Sequence, residues 1–255
     1  MPATYKGVAL KAAKEAGKIQ LKYYKGKFAK QQKKDKSFVT KADLESTKAV
    51  RRIISGAFPE HNILCEELGG SNKNSDYRWI IDPLDGTHNF IMHNPLFGVS
   101  IALEYKKEII LGVIYMPVLE KLCWAEKGKG SYCNGKRISV SRDKDLKKCM
   151  VCFDSDFKRE STKKIKMVRN LSKRVWGIRA WGVAIYNNLL VAEGKAGVCI
   201  DFGSNPWDHS AALLMIEEAG GKVTDLKGDR WTTEIEDYVA TNGKVHSKVL
   251  NVIKK

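Results

Sequence analysis

Apolar residues recur at steps of three and four near the start of the chain. Val8, Ala12, Ala16, Ile19 and Tyr23 fall on one face of a helix expected over residues 4–29. A lysine-rich loop follows. FVTKAD then leads into a second helix over 43–57, with Thr40 and Asp43 resembling a capping box. Val50, Ile53 and Ile54 supply its apolar face, and Pro59 ends it. Short strand-like runs come next: NILCEE, YRWIID, FGVSIALEY and IILGVIYMP. KLCWAEKG and GSYCNGKRISVS read as a hairpin region, with Asn134-Gly135 as the tight-turn signal.

After about residue 145 the pattern changes. Strand candidates CMVCFD, VWGIRAW and AGVCIDF alternate with helix candidates at 160–172, 184–194 and 208–219. Gly220-Gly221 closes the last of these. A final strand, KVTDL, and a short terminal helix complete the chain. The mixture predicts an α+β protein with sheets covered by helices. Its two halves, 1–145 and 146–255, are expected to meet without a flexible tether.

Composition supports a globular chain: 255 residues, 43% hydrophobic and 29% charged. The opening residues hold no uninterrupted apolar core of a secretory signal. The longest apolar run, IILGVIYMPVL (109–119), contains Pro117 and falls short of the roughly 18 residues a membrane span needs. A soluble, cytoplasmic protein is expected. Six cysteines in a chain this long suggest no disulfide scaffold. Cys149 and Cys152 form a CxxC, but in a strand such positions point to opposite faces, so they read as two buried small hydrophobes.

The net charge of +16 suits an anionic substrate, an acidic surface or nucleic acid. The excess is mostly lysine. KGKFAKQQKKDK has little of the aromatic interleaving that single-strand binders use. Solvated lysines that steer an anionic substrate are the favoured reading, with a nucleic-acid contact as the alternative.

In so basic a chain, carboxylates at strand ends stand out. The richest segment is WIIDPLDGT (79–87). A buried-looking strand runs into Asp82, and Pro83 forbids continuing the ladder. Asp85, Gly86 and Thr87 then resemble a helix N-terminus with Asp85 as cap. Asp82 and Asp85 can face one metal pocket, and the Leu84 carbonyl between them can be a hard oxygen ligand. The free amides beyond Asp85 can bind phosphate. Mg²⁺, which prefers oxygen and keeps waters, suits such a set. Turn and cap chemistry alone could also explain DPLDGT. Other acids add weight: Glu66 and Glu67 end another strand, Asp208 opens a late helix and Asp43 an early one. Each alone is more often a cap than a ligand. The spacing is one residue longer than the D-x-D-G-T of haloacid-dehalogenase-type phosphatases. That argues for metal ligation rather than a phosphoenzyme. There is no Walker A motif, and the five histidines show no HExxH spacing.

Taken together, these residues resemble the inositol monophosphatase family, a lithium-sensitive group of metal-dependent phosphatases. One family signature stands here as Trp79 to Phe90. A second stands as WDHSAA (207–212) followed by EEAGG (217–221). VTKAD (39–43), the Glu66-Glu67 pair and GKGSYCNGKRISVS match the motifs between, so the likeness covers nearly the whole chain. The resemblance implies a five-layer αβαβα sandwich that forms homodimers. It implies that Glu66, Asp82, Asp85, Asp208 and the Leu84 carbonyl hold two or three Mg²⁺. Thr87, with Asp43 nearby, would orient and help deprotonate a metal-activated water placed for in-line attack; Glu66 belongs to the same catalytic set. The Gly86 and Thr87 amides, with Asp85 and Asp208, would surround the phosphate. Gly182, Val183, Ala184 and Asp201 would contact the substrate's hydroxyls.

Two departures bear on substrate. Inositol-specific members usually carry Ser or Thr where Val183 stands, and Glu where Asp201 stands. Inositol 1-phosphate leads as substrate. Fructose 1,6-bisphosphate, histidinol phosphate and 3′-phosphoadenosine nucleotides are alternatives on the same scaffold. A basic nucleic-acid-binding protein with a structural cation site is the alternative from another class. Specificity is expected to lie in loops around 70–78, 154–160 and 201–206. The polar segment 69–76 is expected to move over the metals, or to be a plain surface turn.

Overall fold

The computed structural model describes residues 3–26, 30–32 and 38–254. Helix α1 (Tyr5–Tyr24) begins at Thr4, whose side chain accepts a hydrogen bond from the Gly7 amide. It is shorter than the expected 4–29; the last three of those positions and part of the lysine-rich stretch lie outside the described residues. Strands β1 (Lys30–Gln32) and β2 (Phe38–Thr40) pair as a small antiparallel ribbon. Helix α2 (Lys41–Ala57) follows, and Thr40 and Asp43 form the capping box expected there.

The first sheet takes β3 (Asn62–Cys65), β4 (Gly69–Gly70) and β5 (Tyr77–Asp85). After the short helix α3 (Thr87–Ile91) it adds β6 (Gly98–Tyr105), β7 (Glu108–Met116), β8 (Lys121–Glu126), β9 (Gly130–Cys133) and β10 (Lys136–Ile138). Their order is β10-β9-β8-β7-β6-β5-β3-β4, with β3 and β5 parallel. Asn134 and Gly135, both at positive φ, make the expected tight turn between β9 and β10.

The second sheet takes β11 (Met150–Phe153), β12 (Gly177–Arg179), β13 (Val198–Asp201), β14 (Lys222–Asp225) and β15 (Tyr238–Thr241). Between and after these strands run α4 (Ser161–Ser172), α5 (Ala184–Ala192), α6 (Pro206–Glu218) and α7 (His246–Ile253). The order is β12-β11-β13-β15-β14, so KVTDL is not the final strand. β15 lies between β13 and β14, antiparallel to both. Its four residues are all buried, so they show none of the alternation by which a half-buried strand is read.

The layers run α1 and α2, first sheet, α5 and α6, second sheet, α4 and α7. This is the α+β, αβαβα sandwich. Strand alternation builds it. Trp79 and Ile81 pack with Val50 and Ile54 of α2, while Ile80 points the other way toward Leu189 and Leu213 of α5 and α6. Val151, Ile200 and Val239 cover the far face under Leu171 and Val249. Helix α6 comes so near β7 that a Cβ on Gly112 would stand 2.6 Å from the Ala211 carbonyl oxygen.

Cys149 joins the outer apolar cluster and Cys152 the middle one, as opposite strand faces require. Burial pushes their thiols up, to about 11 and about 12, which removes thiolate reactivity. Among the described residues there is one disulfide, which the sequence did not suggest. Cys123 and Cys133 stand opposite each other across β8 and β9 with Cα atoms 4.0 Å apart. Within segment 69–76, Gly69 and Gly70 pair with β3, and Asn62 hydrogen-bonds the backbone of Lys73 and Ser75. Among the described residues no helix is long and apolar enough to cross a membrane.

Candidate active site

β5 does not stop at Pro83. Asp82 stands opposite Ser100 and Asp85 opposite Gly98, so three steps on β5 match two on β6. A bulge absorbs the extra residue. Without it, an odd spacing would send the two carboxylates to opposite faces. The Pro83 carbonyl accepts a hydrogen bond from the buried Gln20 of α1 at 2.7 Å, and Asp82 Oδ1 accepts from the Leu84 amide at 2.8 Å. The parallel register sets Cys65 beside Ile81, which carries Glu66 to the level of Asp82. The Glu66 amide donates to the Ile81 carbonyl at 3.2 Å.

Asp85 is not the cap of the helix that follows it. Gly86 holds that position, at φ 89°, and the five-residue α3 has no side-chain cap. The Asp85 carboxylate instead reaches 100 positions along the chain to accept a 2.6 Å hydrogen bond from the Ile185 amide, at the start of α5. A Cβ on Gly86 would come within 2.8 Å of Val183 and 2.9 Å of the Leu96 carbonyl oxygen. Val183 is therefore buried against Gly86, which explains why an apolar side chain suits that position.

The Thr87 hydroxyl lies 3.2 Å from Asp43 Oδ1 and 3.1 Å from the Leu84 carbonyl oxygen. It has one proton to give, so it donates to one of them at a time. Asp43 divides its oxygens: Oδ2 accepts from the Thr40 amide and hydroxyl, and Oδ1 faces Thr87. Asp43 thus belongs to the capping box expected, and its second oxygen is turned toward Thr87. Asp208 is the third residue of α6, which begins two positions before the expected start. Its Oδ2 accepts from the Asn205 amide at 2.7 Å in a second capping box.

Asp85, Asp208, Asp201 and the backbone of Gly182 to Ala184 line one cavity of about 220 Å³. Glu66, Asp82, Leu84, Asp43 and Thr87 do not line it; they stand behind and beside Asp85. Asp201, at the end of β13, accepts from the Phe202 amide at 2.9 Å and from the Tyr238 hydroxyl at 3.2 Å. Asn188 of α5 donates to that hydroxyl at 2.7 Å. Sequence reading missed Tyr238, Gln20 and Asn187, and it pointed to Asp154, Ser155 and Ser204 only through the loops 154–160 and 201–206, without naming them. Asp154 carried a usable signal, since it closes the strand-like run CMVCFD as Asp201 closes β13.

Electrostatics set this group apart. Burial raises the Asp82 carboxyl well above its usual range, and the nearby charges of Glu66, Asp85 and Asp208 push it further. Asp85 is pushed up to about 8 by burial, opposed by the Ile185 amide and reinforced by Asp208. Burial also raises Asp43. Among the described residues no three His, Cys, Asp or Glu side chains are already gathered as a metal-binding group. Like charges hold apart unless a cation draws them in. The donors are carboxylates and a carbonyl, all hard oxygen, which fits Mg²⁺ and not a soft metal. Ala184 at the start of α5 and Asp208 in the first turn of α6 line the same cavity, and helix N-termini favour an anion.

Comparison with known proteins agrees with this chemistry. A model of the inositol monophosphatase family matches residues 2–255. A fructose-1,6-bisphosphatase/inositol-1-monophosphatase of Aquifex aeolicus is 37% identical, over 98% of this chain and 96% of its own. A histidinol-phosphatase of Chlorobaculum parvum is 35% identical, over 96% and 95%. The crystal structure of the extragenic suppressor protein suhB from Bartonella henselae superposes with a TM-score of 0.95 at 32% identity, covering 99% of both chains.

Proposed function

This chain belongs to the inositol monophosphatase family and is a phosphomonoesterase, and we propose that it hydrolyses a small sugar or polyol phosphate with Mg²⁺. The observation that carries the proposal is Asp82. It is buried, and its strongest charged neighbours are three more carboxylates. Such a cluster is stable as carboxylates only with a cation among them.

Glu66, Asp82, Asp85, Asp208 and the Leu84 carbonyl would hold two or three ions. Bound there, Mg²⁺ lowers the pKa of a water and stabilises charge on the leaving oxygen. The chain's own residues do the rest. Thr87 and Asp43, 3.2 Å apart, orient the attacking water and take its proton. Burial of Asp43 makes it a better base than an exposed aspartate. The Gly86 and Thr87 amides and the start of α5 hold the phosphate. Gly182 to Ala184 and Asp201 accept the hydroxyl-bearing part of the substrate.

Inositol 1-phosphate is the leading substrate. The names of the Aquifex and Chlorobaculum relatives support fructose 1,6-bisphosphate and histidinol phosphate as alternatives. Phosphate release from these three esters and an adenosine bisphosphate, with Mg²⁺ and with EDTA, tests the reading. We expect turnover that EDTA stops and Mg²⁺ restores. Turnover indifferent to EDTA, or none from any ester, would overturn it.

A further inference from the structure

Lys164 is fully buried in α4, with its side chain 0% exposed. A lysine in that position needs a partner. It has one in Asp154, whose Oδ2 accepts from Nζ, and Nζ also donates to the Asp156 carbonyl. The ammonium lies 4.9 Å from the centre of the Phe202 ring, next to Asp201. Asp154 directly follows β11, and the parallel register of Phe153 with Ile200 sets it beside Asp201 on β13. Asp154 lines the cavity that Asp85, Asp201 and Asp208 also line, though only 10% of its side chain is exposed.

We propose that Asp154 is a specificity-determining residue that accepts a hydrogen bond from a hydroxyl of the substrate, and that Lys164 is its positioning residue. The inference rests on the phosphatase reading above. Lys164 sets the chemistry of Asp154. An ammonium already neutralises it, so it does not compete for a metal ion. For the same reason it offers lone pairs rather than unbalanced charge, which suits a neutral hydroxyl and not a substrate ammonium. Its Oδ1 accepts from the Asp156 amide at 2.8 Å and Oδ2 from Lys164. Each carboxylate oxygen can accept a second hydrogen bond. With Asp201 one strand away, the far wall presents two carboxylates that neighbouring hydroxyls of a polyol or sugar can reach. Ser155, on the segment Lys164 anchors, lines the same wall.

The test compares inositol 1-phosphate with p-nitrophenyl phosphate, which has no hydroxyl to recognise. The paired change Asp154→Ala with Lys164→Met removes both charges, so neither is orphaned. Thermal melting checks the fold, and Asp154→Asn alone serves as a near-isosteric second variant. We expect kcat/KM for the polyol ester to fall about ten-fold, mostly through KM, and that for p-nitrophenyl phosphate to stay within about two-fold. Lys164→Met alone should shift the two esters apart in the same direction. Equal loss on both esters, or no loss on either, overturns the proposal while leaving the phosphatase reading in place. Failure of the wild-type enzyme to hydrolyse any sugar or polyol phosphate defeats both.

Discussion

Asp85 serves two elements with one carboxylate. It stands among the acids whose charge acts on Asp82, and it accepts from the Ile185 amide at the start of α5. An asparagine keeps an oxygen for that amide but loses the charge a cation needs. Asp85→Asn should therefore abolish phosphate release while the melting temperature stays close to that of the parent. Full turnover in this variant would remove Asp85 from the ligand set. Asp43 shows the same economy, with one oxygen for its helix and one for Thr87.

Among the elements, the β5 bulge and the turn after it carry the site. The bulge needs Gln20 to hold the Pro83 carbonyl and Gly86 to turn the chain at positive φ. Space at Gly86 is closed by Val183 and by a backbone oxygen that cannot swing away. Gly86→Ala should cost about 2 kcal/mol or more in denaturant unfolding, from left-handed strain plus the clash. It should lower kcat further than stability alone accounts for, because Thr87 follows directly. A variant as stable and active as the parent would show that the turn relaxes freely.

For the whole molecule, the acid cluster makes stability depend on pH and on metal together. Burial and mutual repulsion raise Asp85 to about 8 and Asp201 to about 7, with Asp82 well above its usual range. A carboxyl raised in the folded state stabilises at pH below its unfolded value, near 4, and loses that contribution as pH climbs through the folded value. Metal-free protein should melt lower at pH 8.5 than at pH 7, and added Mg²⁺ should restore more at pH 8.5. His209 and His246, lowered to about 4 by burial, act in the opposite direction below about pH 6.5 and stay out of this window. A melting temperature that is flat across pH 7 to 8.5 in EDTA would mean the carboxylates are not the strained set described here. The +16 charge belongs to this scale too: if it steers phosphate esters toward the acidic site, kcat/KM should fall as ionic strength rises.

The sequence by itself determined the local grammar: helix periodicity in α1 and α2, the capping box at Thr40 and Asp43, the Asn134-Gly135 turn and the order of the acidic motifs. These depend on neighbours a few residues apart, so they are visible along the chain. Only the tertiary structure decided the rest. β15 was hidden because a strand buried on both faces has no alternation to read. The partner of Asp85 lay 100 positions away, at the start of a helix. The bulge that aligns Asp82 with Asp85 is a register relation between two strands, not a property of either. Asp154, Lys164, Tyr238 and Gln20 became part of the site only when distant segments packed together, because a buried charge or hydroxyl takes its role from the partner that packing supplies.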